Sequence, residues 1–203
     1  MSKTIMGPDD KPRCQWCGAA PEFLVYHDTE WGFPVSDDHR LFEKLSLEGF
    51  QSGLSWRTIL VKRDNFRTAF HHFDFDRIAR FTQRDVDRLL KDEGIVRHRG
   101  KIGAVINNAR RAQALVKQEG SLAAFIWRYE PDTVQAAKAQ TASTSAESLA
   151  LSKDLKKQGW KFVGPTTVYA FMQAMGLIND HVEDCVIRIS VERARKKFRR
   201  PRR

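Results

Sequence analysis

The sequence predicts an all-α protein that folds as one compact unit. Apolar residues recur at helical spacing along most of the 203 residues, whereas convincing strand alternation and Asn-Gly hairpin turns are absent from the sequence. A chain of this length can bury one sizeable core or at most two small domains. With 41% apolar and 30% charged residues, its composition is typical of a soluble globular protein.

The helices of the first half can be assigned from their capping residues and their apolar spacing. Asp37 is suited to cap a helix that begins near Asp38, and a second apolar pattern follows Trp56. Thr82 can cap a short helix that ends at Gly94. We therefore expect helix-turn-helix connections throughout this region.

The second half continues the same pattern. Amphipathic helices are predicted from about Lys101 to Lys117, ending at Gly120, and from Ser145 to Gln158. Thr166 to Met175 is apolar on most sides, which predicts a buried helix. The stretch from Gln135 to Ser148 is rich in Ala, Ser, Thr and Gln, and we interpret it as a linker or an exposed loop.

The two termini show little sign of a folded core. We expect residues 1–12 to be disordered, residues 13–187 to form a single helical domain, and residues 188–203 to form a basic tail that frays from Ile187 onward. No apolar segment typical of a secretion signal or a membrane span is present. Three cysteines argue against a disulfide framework, so the cytoplasm is the expected compartment.

Positive charge is concentrated at the C-terminus. The net charge is +10, and the segment from Arg193 to Arg203 contains eight basic residues and no acidic one. A run of this kind is typical of a solvated arm, and it leaves the rest of the chain nearly neutral. The charge favours nucleic acid as a partner, but binding by the folded body must then come from a local patch.

Cysteine and histidine are paired near both ends of the chain. Twelve residues separate Cys14 from His27, and three separate His181 from Cys185, so the second pair would share one face of a helix. Two thiolates and two imidazoles form a closed tetrahedral shell for Zn²⁺. The alternative is that these are buried thiols and ordinary histidines, and Cys17 offers a competing Cys-x-x-Cys pair.

Two strings combine aromatic with acidic residues. YHDTEWG contains Tyr26 and Trp31, and LEGFQSGLSW contains Glu48 and Trp56. A buried carboxylate between aromatic rings would suit a planar cationic or amine-bearing ligand, because the rings stack and the carboxylate accepts hydrogen bonds. The alternative is that the rings are core aromatics and that Glu48 is a solvated helix residue.

Two turns are candidates for binding phosphate. Arg97, Arg99 and Lys101 are concentrated in EGIVRHRGKI, which is the stronger candidate. In WKFVGPTT, Gly164 can adopt a backbone conformation closed to other residues, and Pro165 suits the first position of a helix. The start of that helix could present backbone amides to a phosphate.

Seven strings in this order give the sequence a specific resemblance to a known family. They are RCQW, YHDTEWG, LEGFQSGLSW, GIVRHRGKI, STSA, KFVG and LINDHVEDC. Over roughly residues 13–185 the chain resembles the 3-methyladenine DNA glycosylase I family of bacterial base-excision repair, which is similar to the helix-hairpin-helix glycosylases. The resemblance implies a compact helical glycosylase fold with helix-hairpin-helix turns. It also implies double-stranded DNA with alkylated bases as the partner, and we expect a monomer without membrane association.

The resemblance implies one structural zinc ion. Members of the family carry such an ion, and its ligand positions match residues from both ends of this chain, namely Cys14, His27, His181 and Cys185. The zinc would join the N- and C-terminal segments, and Cys17 would remain an extra thiol.

The resemblance also implies a pocket for a flipped base. Its walls would be Glu48, Tyr26 and Trp56, with Trp16 and Trp31 nearby. Adenine methylated at N3 is positively charged while it is attached to the sugar. We therefore expect Glu48 to be the catalytic residue that favours the cation and accepts a hydrogen bond from its amine, and Trp56 to add a cation–π interaction.

One further role follows from the resemblance on the DNA side of the pocket. Residues around Gly53 and Leu54 would fill the gap that an extruded nucleotide leaves in the duplex.

Three positions depart from the broader helix-hairpin-helix pattern. Asn179 stands where many of those glycosylases have a catalytic aspartate, and Asp180 could substitute only if the register shifted. Pro165 and Thr166 stand where bifunctional relatives have a lysine, and Phe162 replaces the first hairpin glycine. The leading hypothesis is a monofunctional glycosylase that releases 3-methyladenine. The alternative is a zinc-stapled DNA-binding module without chemistry, which would have no need of a carboxylate in an aromatic pocket.

Overall fold

Helices account for most of the chain in the computed structural model, which describes residues 4–132 and 139–202. The longer helices are α1 (Pro21–Thr29), α2 (Asp38–Gln51), α6 (Gln83–Lys91), α7 (Arg99–Glu119), α9 (Ala146–Lys157), α10 (Pro165–Ala174) and α11 (Val186–Lys197). The shorter helices are α3 (Trp56–Leu60), α4 (Arg63–Ala69), α5 (Phe75–Ile78) and α8 (Leu122–Ile126). The all-α prediction is thereby confirmed. Across the described residues, none of the helices has the length and apolar character needed to cross a membrane.

Several helices begin and end where the sequence predicts. The Asp37 carboxylate accepts a hydrogen bond from the backbone N–H of Arg40 at 2.8 Å and so caps α2. Thr82 and Asp85 form a capping box at the start of α6. Gly120 ends α7 with a φ of +86°, a conformation that favours glycine. Residues 135–138 of the predicted linker lie outside the described residues.

Helix α2 occupies the centre of the molecule. Every residue from Leu41 to Phe50 is buried, and the helix packs against α3, α7, α8 and α10. Because α2 has almost no face toward water, its charged side chains need buried partners. Glu43 is paired with Arg67 at 2.8 Å, and Lys44 is paired with Glu48 at 2.8 Å.

Helices α9 and α10 pack against each other across the turn 158–164, as expected for a helical hairpin. Pro165 is the first residue of α10, as predicted. The prediction that Gly164 uses a glycine-specific conformation is wrong, because its φ is −63°. The turn instead has left-handed residues at Gly159, with a φ of +83°, and at Phe162, with a φ of +55°, where the hairpin pattern has glycine.

The N-terminal segment is ordered over the residues that the structure describes, whereas the sequence predicts disorder over residues 1–12. Strands β1 (Thr4–Met6) and β2 (Pro12–Cys14) pair in antiparallel fashion. Arg13 holds this hairpin by ion pairs with Asp9 at 2.5 Å and Asp28 at 2.9 Å. The hairpin therefore forms because β2 is attached to the body of the protein. Residues 1–3 lie outside the described residues.

The C-terminal segment also differs from the expectation of a fraying tail. Helix α11 extends to Lys197, and Arg195 is buried in an ion pair with Glu130 at 2.9 Å. Arg200 binds the same carboxylate at 2.8 Å, and the Phe198 ring lies 4.4 Å from the Trp127 ring between centroids. The acidic partner and the aromatic contact come from a remote segment, so the basic run folds onto the body.

We predict that Phe198→Ala lowers the free energy of unfolding by about 1–2 kcal/mol, because the half-buried ring no longer packs against Trp127. Ile189→Ala is the matched control on α11, the helix that Phe198 directly follows, since Ile189 is 59% exposed and should contribute little. Urea denaturation of the two variants measures the difference. Equal losses of stability would contradict the docking of the C-terminal segment.

Candidate functional site

The predicted cysteine and histidine ligands converge in one buried cluster. The ligand atoms of Cys14, His27, His181 and Cys185 all lie within 4.8 Å of one another. Cys185 Sγ is 3.5 Å from both His27 Nε2 and His181 Nδ1, and Cys14 Sγ is 3.6 Å from His181 Nδ1. The four residues could therefore hold one metal ion that joins the N- and C-terminal segments.

Each of the two imidazoles has one nitrogen that faces away from the cluster and one that faces its centre. The hydrogen-bond partners of the outward-facing nitrogens show that the inward-facing ones are acceptors. His181 Nε2 lies 3.0 Å from the carbonyl oxygen of Trp31, and His27 Nδ1 lies 2.7 Å from a carboxylate oxygen of Asp28. Because these oxygens accept hydrogen bonds, the outer nitrogens carry the hydrogen atoms. In the neutral imidazoles, the inner nitrogens, 3.1 Å apart, then direct two lone pairs at each other. A metal ion shared with the two thiolates would satisfy both.

The pair of His181 and Cys185 lies in a loop rather than on one face of a helix. His181 and Cys185 precede α11, and the backbone N–H of Cys185 donates to the carbonyl oxygen of Val182 at 3.0 Å. This turn, and not helical spacing, brings the two side chains together. Cys17 is buried but lies outside the cluster, and burial raises the pKa of its thiol to about 11.

A cavity of about 170 Å³ brings together the five residues expected around a base. Its lining residues are Trp16, Tyr26, Trp31, Lys44, Glu48, Gln51, Trp56, Ala170 and Gln173. The Tyr26 and Trp56 rings lie 5.4 Å apart between centroids, and the Trp16 and Trp31 rings lie 5.1 Å apart. The cavity is thus a small aromatic pocket with a carboxylate in its wall.

The pocket walls are contributed by elements that meet beside α2. Tyr26 belongs to α1, Glu48 lies near the end of α2, and Trp56 is the first residue of α3. Ser55 positions Trp56 by capping α3, because its hydroxyl accepts from the backbone N–H of Thr58 at 3.1 Å. Glu48 is only 6% exposed, which excludes the alternative that it is a solvated helix residue.

Lys44 is a charged wall of the pocket that the sequence analysis missed. Its ammonium lies 2.8 Å from Glu48 Oε1 and 3.4 Å from the centroid of the Trp56 ring. Burial lowers the pKa of Lys44, and the neighbouring Glu48 carboxylate opposes this effect. The four-residue spacing of Lys44 and Glu48 on a helix could have indicated the pair, but not its burial.

Tyr26 and Trp56, two of the other residues that line the pocket, contribute polar atoms. Burial, and then the charge of Glu48, raises the pKa of Tyr26 well above its usual value, so its hydroxyl stays protonated. Trp56 Nε1 is buried and has no hydrogen-bond partner among the residues that the structure describes. Burying an N–H group without a partner is energetically unfavourable, so a ligand with a hydrogen-bond acceptor near Trp56 Nε1 would be stabilised.

The loop 52–55, between α2 and α3, presents an apolar side chain to solvent directly before the pocket residue Trp56. Leu54 is 42% exposed, and Gly53 adopts a φ of +78° with open space around it. The structure thus shows an exposed apolar side chain in this loop, and its insertion into DNA stays a prediction.

The basic turn before α7 divides into two exposed arginines and one buried lysine. Arg97 and Arg99 have side chains that are 50% and 63% exposed. Lys101, by contrast, donates from Nζ to the carbonyl oxygens of Phe50 at 2.8 Å and Ser52 at 2.6 Å. The environment of Lys101 differs from that expected for a phosphate contact, because its ammonium is used to hold the end of α2.

Comparison with known proteins agrees with this geometry. The sequence model described as "Methyladenine glycosylase" matches residues 16–188. DNA-3-methyladenine glycosylase 1 of Escherichia coli (strain K12) is 48% identical over 177 residues, which cover 85% of this chain and 95% of that protein. A crystal structure of a 3-methyladenine DNA glycosylase I superposes with a TM-score of 0.81 at 47% identity, covering 86% of this chain and 98% of the other.

A second solved structure holds the base itself. It is a variant 3-methyladenine DNA glycosylase I in complex with 3-methyladenine, with a TM-score of 0.81 at 37% identity, and the match covers 87% of this chain and 97% of that one. With the family match extending over most of its length, the chain belongs to the methyladenine glycosylase family.

Proposed function

We propose that this protein is a DNA repair glycosylase that releases 3-methyladenine by hydrolysing its N-glycosidic bond. The observation that carries the proposal is the buried carboxylate of Glu48 in a pocket walled by Tyr26 and Trp56. A module that only bound distorted DNA would have no need of this arrangement. The names of the similar proteins, and the complex with 3-methyladenine, support the same activity.

The pocket supplies recognition, and the substrate supplies a good leaving group. A base methylated at N3 of adenine is already cationic, so the enzyme need not protonate it before the bond breaks. The base must leave the stack, lie against Trp56 and Tyr26, and donate its amine hydrogen to Glu48. Pro165 and Thr166 stand where bifunctional relatives have lysine, so a Schiff-base step and strand cleavage are not expected.

The DNA would approach from the side of the loop 52–55. Leu54, next to Gly53, would fill the gap left by the flipped nucleotide, and Arg97 and Arg99 would contact phosphates of the same duplex. The backbone N–H groups in the first turn of α10, which follows Gly164, would bind a further phosphate. We expect the enzyme to act as a monomer on DNA in the bacterial cytoplasm.

The metal in the cysteine and histidine cluster is proposed to be one structural zinc ion. Tetrahedral zinc with bonds of about 2.3 Å to sulfur and 2.0–2.1 Å to nitrogen requires S–N edges of about 3.6 Å and an N–N edge of about 3.3 Å. Three of the four S–N distances, at 3.5–3.6 Å, and the N–N distance of 3.1 Å fit this shell. Four protein ligands leave no open position, so the ion would stabilise the fold and supply no step of the reaction.

The first prediction from the proposed function concerns the release of the base. Glu48→Gln keeps an acceptor for Lys44 but removes the negative charge, and it should slow release of 3-methyladenine by about 10- to 100-fold. Trp56→Ala should weaken capture of the base by about 1–3 kcal/mol. Chromatography of free bases released from methylated DNA measures both effects. A wild-type protein that binds the DNA but releases no base would support the binding-module alternative instead.

The second prediction concerns the metal. Purified protein should contain one zinc ion per chain, and Cys185→Ser should lose the ion and melt at a lower temperature, because the two termini are no longer joined. Cys17→Ser is the matched control and should keep the ion. Metal analysis combined with thermal unfolding checks the proposal. Unchanged zinc content in Cys185→Ser would contradict this ligand set.

The third prediction separates the arginines from the lysine of the basic turn. Arg97→Ala and Arg99→Ala should leave stability unchanged and flatten the slope of log K against log salt by about 0.9 for each phosphate that the variant no longer neutralises. Lys101→Met should instead reduce stability by about 1–3 kcal/mol, because two carbonyl groups are deprived of a charged donor. DNA-binding anisotropy at several salt concentrations and urea denaturation measure the two effects. A Lys101→Met variant with normal stability and a flatter salt slope would restore the phosphate role of Lys101.

A further inference from the structure

The base pocket already contains a positive charge that comes from the protein. Lys44 lies one helical turn before Glu48 on α2, and its ammonium is 2.8 Å from the Glu48 carboxylate. The side chains of the two residues are only 7% and 5% exposed. The carboxylate that would attract a cationic base is therefore neutralised in advance by a buried partner.

The same ammonium lies against the rings that would stack on the base. It is 3.4 Å from the centroid of Trp56 and 5.1 Å from that of Tyr26. Cation–π attraction and an ion pair with a carboxylate are the two interactions expected to select a positively charged base. Lys44 forms both interactions itself, the ion pair with Glu48 and the cation–π contact with Trp56, which are the same residues that would bind the substrate.

Lys44 has little freedom to leave when a base enters. Its ammonium is held by the Glu48 carboxylate at 2.8 Å and lies over the Trp56 ring, and its side chain is only 7% exposed. A cationic base in the cavity would then lie close to a like charge in a region of low dielectric constant, which is unfavourable. An uncharged base would meet no such repulsion, and a ring nitrogen or carbonyl oxygen on it could accept a hydrogen bond from the ammonium.

We propose that Lys44 is a specificity-determining residue that reduces the preference of this pocket for positively charged bases and lets it bind uncharged methylated bases that carry a hydrogen-bond acceptor. This inference rests on the proposed function, since it concerns the same pocket. Glu48 still accepts a hydrogen bond from an exocyclic amine, but its charge is shared with Lys44. Recognition in this chain then depends on stacking and hydrogen bonding more than on net charge.

The test compares two ligands that differ in charge and not in shape. One is 3,9-dimethyladeninium, in which the methyl group at N9 stands in for the sugar. The other is its uncharged isostere, in which the methylated ring nitrogen is replaced by carbon. Dissociation constants from quenching of tryptophan fluorescence give the ratio of the two affinities for the wild-type protein and for each variant.

The wild-type protein should bind the cation no more tightly than the isostere. Lys44→Met and Lys44→Gln should each shift the ratio toward the cation by about tenfold or more, because the like charge is gone. Lys44→Gln keeps a hydrogen-bond donor for Glu48 and so guards against misfolding of Lys44→Met. Lys153→Met, which removes an exposed lysine of α9, controls for the change in net charge and should leave the ratio unchanged.

An unchanged ratio in a folded Lys44 variant would overturn the inference. If neither variant folds, the wild-type ratio decides, and a wild-type preference for the cation above about tenfold would overturn it as well. Release of 3-methyladenine from methylated DNA, measured on the same preparations, separates the two proposals. Normal release with an unchanged ratio rejects the role of Lys44 alone, whereas absence of release rejects the glycosylase itself.

Discussion

The burial of α2 on every side is the constraint on which the rest of the structure depends. A helix surrounded by other helices cannot leave a charge unpaired, because an isolated ion is strongly disfavoured away from water. Glu43 is therefore held by Arg67, and Glu48 by Lys44. The same packing places Glu48 in an aromatic pocket. The chemistry of the site is thus a consequence of how the centre of the fold satisfies its charges.

The cysteine and histidine cluster meets a different requirement, because it brings the two ends of the chain together beside that centre. Its four residues come from the N-terminal hairpin, from α1 and from the loop before α11. Asp28 connects the cluster to the hairpin, since it meets His27 on one side and Arg13 on the other. Because Trp31 accepts from His181 and also lines the pocket, the cluster and the pocket share a wall. We therefore expect that a change in the cluster would also alter the pocket.

The differences between the sequence analysis and the structure have a common cause. For Lys101 and for the basic segment at the C-terminus, charge and spacing predict surface features. Lys101 is instead used internally by two carbonyl groups at the end of α2, and within the C-terminal segment Arg195 is used in the same way by Glu130, whereas the other described basic residues of that segment are exposed. A basic side chain binds whichever acceptor the fold brings to it, and that acceptor can lie far away in the sequence. Phe162, two residues before Gly164, is left-handed where it packs closely against Gly49 of α2, a contact that residue type does not predict.

The sequence by itself determined the features that depend on neighbouring residues. Helical periodicity, the cap at Asp37, the capping box at Thr82 and the end of α7 at Gly120 all arise within a few residues of chain, so they can be read from spacing. It also contained the residue types of both sites, because the chemistry of a Cys/His shell and of an aromatic pocket with a carboxylate is recognisable in the strings. The tertiary structure decided which of these residues meet and what else lies between them. The position of the Lys44 ammonium against the Trp56 ring and the docking of α11 depend on distances between remote segments, which no local pattern specifies.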